Sequence, residues 1–223
     1  VEVSLLITLE GLDGTGKSTL AQSLVEEMSQ QRSSFYPWIY SSKEPGSPWT
    51  GLGPQLRQLV LETPDLRPIE RELMFYVDAS MHARFIDNQQ NAIIVSDRGK
   101  WSHFAYLKGY LKTKQIDWDE YSLCKKFIDL LCAEPDCVVY LKGSLALMKD
   151  RLASKQKDAI ESNGSEFFSA VLDTYGELVS DRQRTGKPTL VLEATDSTCH
   201  NRLKVLSYLK EVFNEQQLIE GRN

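Results

Sequence analysis

Gly11-Leu12-Asp13-Gly14-Thr15-Gly16-Lys17-Ser18, with Thr19 behind it, fits the phosphate-binding pattern G-x-x-x-x-G-K-[ST]. Three glycines in six positions let successive backbone N–H groups turn inward as a nest. A helix starting at the lysine adds positive partial charge where an anion lies. Polyphosphate is the expected ligand, on the stretch from Gly11 through Gly14, Thr15, Gly16, Lys17 and Ser18 to Thr19. Lys17 is expected to reach the β- and γ-phosphates, and the Ser18 hydroxyl to take one Mg²⁺ position. The motif does not decide whether the terminal phosphate passes to water, to a protein or to a small molecule.

This loop must sit between a strand and a helix, and its flanks agree. Leu5-Leu6-Ile7-Thr8-Leu9 is an apolar, β-prone run, and Leu20, Leu24, Val25 and Met28 have helical spacing. Apolar strand-like runs then alternate with longer helical patterns, the signature of a parallel sheet wrapped by helices. Phe35 to Tyr40 reads as a second strand, with Pro37 pointing to an edge or a bulge. A restricted loop follows, Lys43-Glu44-Pro45-Gly46-Ser47-Pro48, and then a short helix over Leu52 to Leu61. Pro68 opens a long helix to about Asn88, with Ile69, Leu73, Val77 and Met81 as its apolar stripe. Ala92-Ile93-Ile94-Val95-Ser96 reads as a strand buried on both faces and ends in Asp97-Arg98. A charged pair at a strand's carboxyl end lies where open α/β sheets bind ligands.

Helices are expected over Trp101 to Gly109 and Trp118 to Cys132, then a strand over Cys137 to Leu141 and a helix capped by Ser144 through Leu152. Ser154 to Ser165 is polar and without an apolar period, and reads as a mobile lid. A helix resumes from Phe167 to Val179, Thr189 to Leu192 is the last strand, and residues about 197 to 213 form the last helix. The tail from about 214 to 223 is expected to fray.

At 223 residues and 41% hydrophobic content, one domain spanning residues 1–223 is expected. The formal charge of −5, with no long Lys/Arg block, argues against a nucleic-acid surface, so any anion must be held by a few placed cations. Four cysteines without a C-x-x-C pair, and three histidines, indicate neither a disulfide framework nor a zinc site. A reducing, cytoplasmic setting fits. No run approaches the ~18 apolar residues of a membrane span, and the N-terminal run is too short and too acidic for a signal peptide.

The phosphate loop, Glu44-Pro45-Gly46, Leu73-Met74-Phe75-Tyr76, Ser96-Asp97-Arg98 and Pro135-Asp136 together, in this order and spacing, resemble the thymidylate kinase family over about Leu5 to Leu209. The resemblance implies an α/β P-loop kinase fold, with a five-stranded parallel sheet flanked by helices and a short lid. It also implies transfer of the ATP γ-phosphate to dTMP with Mg²⁺, in a homodimer. By matching position, Asp13 helps hold the acceptor's sugar and phosphate region, Lys43 and Pro45 border that phosphate, and Phe75 stacks on the pyrimidine. Arg98 grips the acceptor phosphate, and Asp97 lies near the metal. Ser102 and His103 face the base edge, and Tyr106 crowds the sugar 2′ position. Arg151, Lys155 and Lys157 are the lid-side cations for ATP and the moving phosphoryl group.

Three departures stand out. Ala79 takes the place of an arginine that reads the pyrimidine O4, so the acceptor is either relaxed or not thymine. Ala159 takes the place of a lid arginine, and Gly14-Thr15 supplies none in the loop, leaving Lys155 or Lys157 for that role. Gly99 replaces a bulkier residue and is expected to enlarge the acceptor pocket. These departures keep two alternatives to a dTMP kinase open: a kinase for another or modified nucleoside monophosphate, and a nucleotide-binding regulator with weak transfer. No Asn-Lys-x-Asp guanine-reading motif occurs.

Overall fold

The computed structural model describes residues 4–30, 38–153 and 160–213. Five parallel strands, β1 (Leu5–Glu10), β2 (Trp38–Lys43), β3 (Ala92–Asp97), β4 (Cys137–Lys142) and β5 (Thr189–Glu193), form one sheet in the order β2-β3-β1-β4-β5. Every residue of the central strand β1 is buried, as a continuous apolar run between two helical layers should be. Its register against β3 sets Leu9 beside Asp97, and against β4 sets Glu10 beside Tyr140. The carboxyl ends of β1 and β3 therefore open side by side on one edge of the sheet.

The helices described are α1 (Lys17–Gln30), α2 (Gly53–Glu62), α3 (Pro68–Asp87), α4 (Lys100–Lys112), α5 (Trp118–Leu131), α6 (Leu145–Leu152), α7 (Ser165–Arg184) and α8 (Thr198–Val212). Local chemistry marks their starts. Ser144 Oγ accepts from the Leu147 N–H, Ser197 Oγ from His200 N–H, and Asp117 forms a capping box with Glu120. On one side of the sheet, α1 and α8 cover β1, β4 and β5 through Leu20, Leu24, Val205 and Leu209. On the other, α7 lies across α4, where Phe167 packs on Tyr106 and Tyr110. A Cβ on Gly109 would stand 2.7 Å from the Phe167 ring, so glycine is what lets the two helices approach this closely.

The second strand begins at Trp38, and residues 35–37 lie outside the described residues. It is an edge strand and runs on to Lys43, because Ser41, Ser42 and Lys43 pair with Val95, Ser96 and Asp97. Of the segment read as a lid, Lys155, Lys157 and Ala159 lie outside the described residues, residues 160–163 form a turn, and Ser165 already opens α7.

Of the apolar stripe of α3, Ile69 packs on the core but Leu73 and Val77 do not. Leu73 is 41% exposed and Val77 50%, whereas the buried positions include Arg71, Glu72, Phe75, Asp78 and His82. The inward face of this helix mixes these polar residues with Tyr76, Ala79 and Ile86.

Candidate active site

Six residues separate β1 from α1, and one carbonyl holds the loop between them. Leu12 O accepts from Thr15 Oγ1 at 2.8 Å and from Lys17 Nζ at 2.6 Å. Gly14 and Gly16 have φ of 77° and 95°, a region that L side chains rarely enter, which leaves the loop N–H groups turned to one side. Lys17 is buried, and that burial, with the nearby charge of Arg98, brings its ammonium down to about 8. Arg151, near the end of α6, spans the loop and donates to Gly14 O at 2.8 Å and Ala194 O at 2.9 Å. Gly14, Gly16, Lys17, Ser18, Thr19, Lys43, Asp97, Arg98 and Arg151 line one cleft.

Ser18 Oγ donates to Asp97 Oδ2 at 2.5 Å, and the second carboxylate oxygen, Asp97 Oδ1, is buried without a hydrogen-bond partner. Two hard oxygen groups beside a phosphate loop, one carrying an unspent acceptor, fit a Mg²⁺ ion.

Arg98 follows β3 with φ of 74°, fixed by its N–H donating to Leu9 O at 2.9 Å. Its guanidinium donates to Asp13 Oδ1 at 2.6 Å, Gly11 O at 3.0 Å, Ser102 Oγ at 3.0 Å and Tyr106 OH at 3.2 Å. Tyr106 OH in turn donates to Asp13 Oδ2 at 2.7 Å. Burial pushes the Asp13 carboxyl up, but Arg98, Lys17 and the tyrosine hydrogen bond outweigh it and hold the group well below the usual carboxylate range.

A second cleft adjoins the first, lined by Pro45, Glu72, Phe75, Ser102, His103, Tyr106 and Ile160, and it shares Asp13, Pro45, Arg57 and Arg98 with the phosphate cleft. The two meet at the Asp13–Arg98 ion pair. Of the sequence-predicted site residues, Lys155 and Lys157 lie outside the described residues, Gly11 and Thr15 belong to the loop without lining either cleft, and the rest line one cleft or both.

Placement differs from expectation at two residues. Ser102 lines the cleft, but its hydroxyl proton goes to Glu10 Oε2 at 2.5 Å. Gly99 does not line it. A Cβ at Gly99 would sit 2.8 Å from Thr8 Cγ2, so glycine is there to let α4 start against β1 rather than to widen a pocket. Gly99→Ala is expected to cost about 1–3 kcal/mol in denaturant unfolding, from overpacking against a buried β-branched side chain.

Behind the acceptor-side cleft runs a buried polar chain. Glu44 Oε1 is 3.0 Å from His103 Nε2, Glu44 Oε2 is 2.8 Å from His82 Nδ1, and His82 Nε2 is 2.8 Å from Ser42 Oγ. Burial alone would raise Glu44, but the hydrogen bonds from His103 and His82 bring it to about 2. Burial would lower His103, but Glu44 and Glu72 raise it to about 10. The loop after Glu44 is tied to α3 by Asp78, which accepts from the Gly46 N–H and from Thr50 Oγ1.

Arg57, Glu10, Glu72 and Tyr175 escaped the sequence reading. Arg57 Nη1 donates to Pro45 O at 3.1 Å and faces both clefts. Nothing in the spacing of α2 distinguishes it from a surface arginine. Glu10, at the end of an apolar strand, is buried and pushed up to about 7 by desolvation, opposed by the Ser102 hydrogen bond and Arg98. The folded chain therefore keeps this proton between about pH 4.5 and 7, where the unfolded chain loses it, so ionisation weakens the fold as pH rises through that window. Glu10→Gln is expected to raise the thermal midpoint relative to the parent at pH 8 and to change it much less at pH 5.

A parallel sheet of this order, with a phosphate cleft at the carboxyl end of β1 and an adjoining cleft across Arg98, defines a P-loop kinase. The chain belongs to the thymidylate kinase family, a family of phosphotransferases, whose model matches residues 9–202. It is 31% identical over 206 residues to a thymidylate kinase of Sulfurovum sp., covering 92% of this chain and 98% of that one. It is 29% identical over 205 residues to that of Campylobacter jejuni strain RM1221, covering 89% and 97%. The fold also resembles a thymidylate kinase from Ehrlichia chaffeensis, with a TM-score of 0.67 at 21% identity, covering 93% of this chain and 99% of that one. A deoxyadenosine kinase from M. mycoides superposes with a TM-score of 0.70 at 18% identity, covering 93% and 100%.

Proposed function

We propose that this chain transfers the γ-phosphate of ATP to a deoxynucleoside monophosphate, with dTMP the leading acceptor by family. The observation that carries this is the meeting of two clefts at Asp13 and Arg98, one with phosphate-binding chemistry and the other walled by an aromatic ring.

Lys17 and the loop N–H groups hold the β- and γ-phosphates, and Arg151 borders the nucleotide side. Ser18 and Asp97 would hold Mg²⁺, which would neutralise charge on the phosphates. Lys43 and Arg98, with Arg57 nearby, hold the acceptor phosphate in line. Phe75 stacks on the base, Asp13 and Tyr106 border the sugar, and Ser102 and Glu10 hold the Arg98 fork in place. The acceptor phosphate oxygen is already a nucleophile, so positioning and charge stabilisation suffice and no covalent enzyme intermediate is needed. A single domain over residues 1–223 is part of this reading, and Lys155 and Lys157, the cations expected near the phosphates, lie outside the described residues. A coupled assay of ADP release tests the reading. Release that depends on dTMP and Mg²⁺ supports it, and release equally fast without any acceptor contradicts it.

The exposed Leu73 and Val77 on α3 support a homodimer through that helix, and equilibrium sedimentation would report it. Among the described residues no helix is long and apolar enough to cross a membrane, and Cys124, Cys132 and Cys137 are buried and free, which supports a reducing, cytoplasmic setting.

A further inference from the structure

Glu72, Phe75 and Ala79 follow one another along one side of α3. Phe75 lines the acceptor-side cleft, while Ala79 is fully buried in the core and brings no hydrogen-bond donor. Arg71 does not replace it, since its guanidinium donates to Pro64 O, and Arg84 lines a separate hollow with Trp49 and Phe85. Glu72 lines the cleft, is 3% exposed, and its Oε2 has no hydrogen-bond partner. A buried acceptor left unpaired is costly, and a ligand N–H would remove that cost. Beside it, His103 Nδ1 lies 3.7 Å from Glu72 Oε2, within ion-pair range but beyond hydrogen-bond length. The His103 ring is fixed from behind by Glu44, and its raised pKa of about 10 keeps a proton on Nδ1 at neutral pH. Glu72 and His103 therefore stand side by side in the lining of this cleft, an acceptor-bearing and a donor-bearing side chain next to the Phe75 ring.

We infer that Glu72 and His103 read the edge of the acceptor base as an acceptor–donor pair, and that this cleft takes cytosine as well as thymine deoxynucleoside monophosphates. Thymine offers N3–H to Glu72 and O2 to His103. Cytosine, displaced by one position along the same edge, offers its 4-amino group to Glu72 and N3 to His103. Ala79, fully buried on α3, supplies no donor that would require a carbonyl at position 4. The inference rests on the reading of this cleft as the acceptor site.

Steady-state kinetics with dTMP, dCMP and N3-methyl-dTMP test it without any variant. The kcat/KM for dCMP is expected within about 10²-fold of that for dTMP, a span that one methyl group in an apolar pocket can account for. N3-methyl-dTMP, which lacks the donor, is expected to be at least about tenfold poorer than dTMP, as leaving a buried acceptor unsatisfied implies. In Glu72→Leu the acceptor KM rises at least about tenfold while the ATP KM stays within about twofold, and the penalty on N3-methyl-dTMP disappears. A preference for dTMP over dCMP beyond about 10²-fold, or N3-methyl-dTMP accepted within about tenfold of dTMP, overturns the inference. If no nucleotide is phosphorylated although ATP binds, the kinase reading fails instead. Calorimetric binding of dTMP and dCMP then decides the base reading: comparable affinities support it, and binding of neither or of dTMP alone overturns it.

Discussion

Replacing Lys17 with alanine is expected to lower kcat for phosphoryl transfer by at least about 10²–10³-fold while the fold persists. The side chain is buried against the loop it serves, and its ammonium is aimed by the Leu12 carbonyl at 2.6 Å. It has no role in the apolar core, so circular dichroism and the thermal midpoint should change little. The same lysine gives ATP binding a pH dependence. Its pKa of about 8 in the free protein means that the charge is present below that pH and lost above it. Phosphates favour the charged form, so binding above pH 8 must take up a proton, and ATP affinity should fall by up to about tenfold per pH unit there. Titration of a fluorescent ATP analogue from pH 6.5 to 9.5 would measure this. Flat affinity across that range would show that Lys17 is not the group that meets the phosphates.

Replacing Arg98 with alanine is expected to reduce acceptor turnover by about 10²–10³-fold, with KM for the acceptor rising far more than KM for ATP. Arg98 stands where the clefts meet, and its fork holds Asp13, Tyr106 and Ser102 in one arrangement. Arg98→Lys keeps the charge but cannot span those partners, so it should recover only part of the loss. Kinetic constants for both substrates in the two variants, with thermal melts as a fold control, separate a binding role from a structural one. Equal losses for ATP and acceptor would place Arg98 in the scaffold alone.

How much of this was legible in the sequence depended on whether a function is carried by local spacing. The geometry of the phosphate loop was legible, because the glycines, Lys17 and Ser18 lie in one turn between a strand and a helix. Asp97 and Arg98 were legible through position, since a charged pair closing a buried strand has few structural uses. The polar chain from Ser42 through His82, Glu44 and His103 towards Glu72 was not legible. Its members lie on β2, the loop after it, α3 and α4, and only the sheet order brings them together. Helix α3 shows why periodicity misled. Leu73 and Val77 of its most regular apolar stripe point outward, while Glu72, Asp78 and His82 are buried among Phe75, Tyr76 and Ala79. Gly99 was read as space beside a ligand, whereas the constraint comes from Thr8 on the neighbouring strand.

The most direct test of the account is ³¹P NMR of the purified protein with ATP, dTMP and Mg²⁺, following where the γ-phosphate goes. dTDP resonances are expected to grow in step with ADP, with no matching rise in inorganic phosphate, and both products are lost in Lys17→Ala. Inorganic phosphate accumulating in place of dTDP, or unchanged ATP in the presence of bound nucleotide, would contradict it.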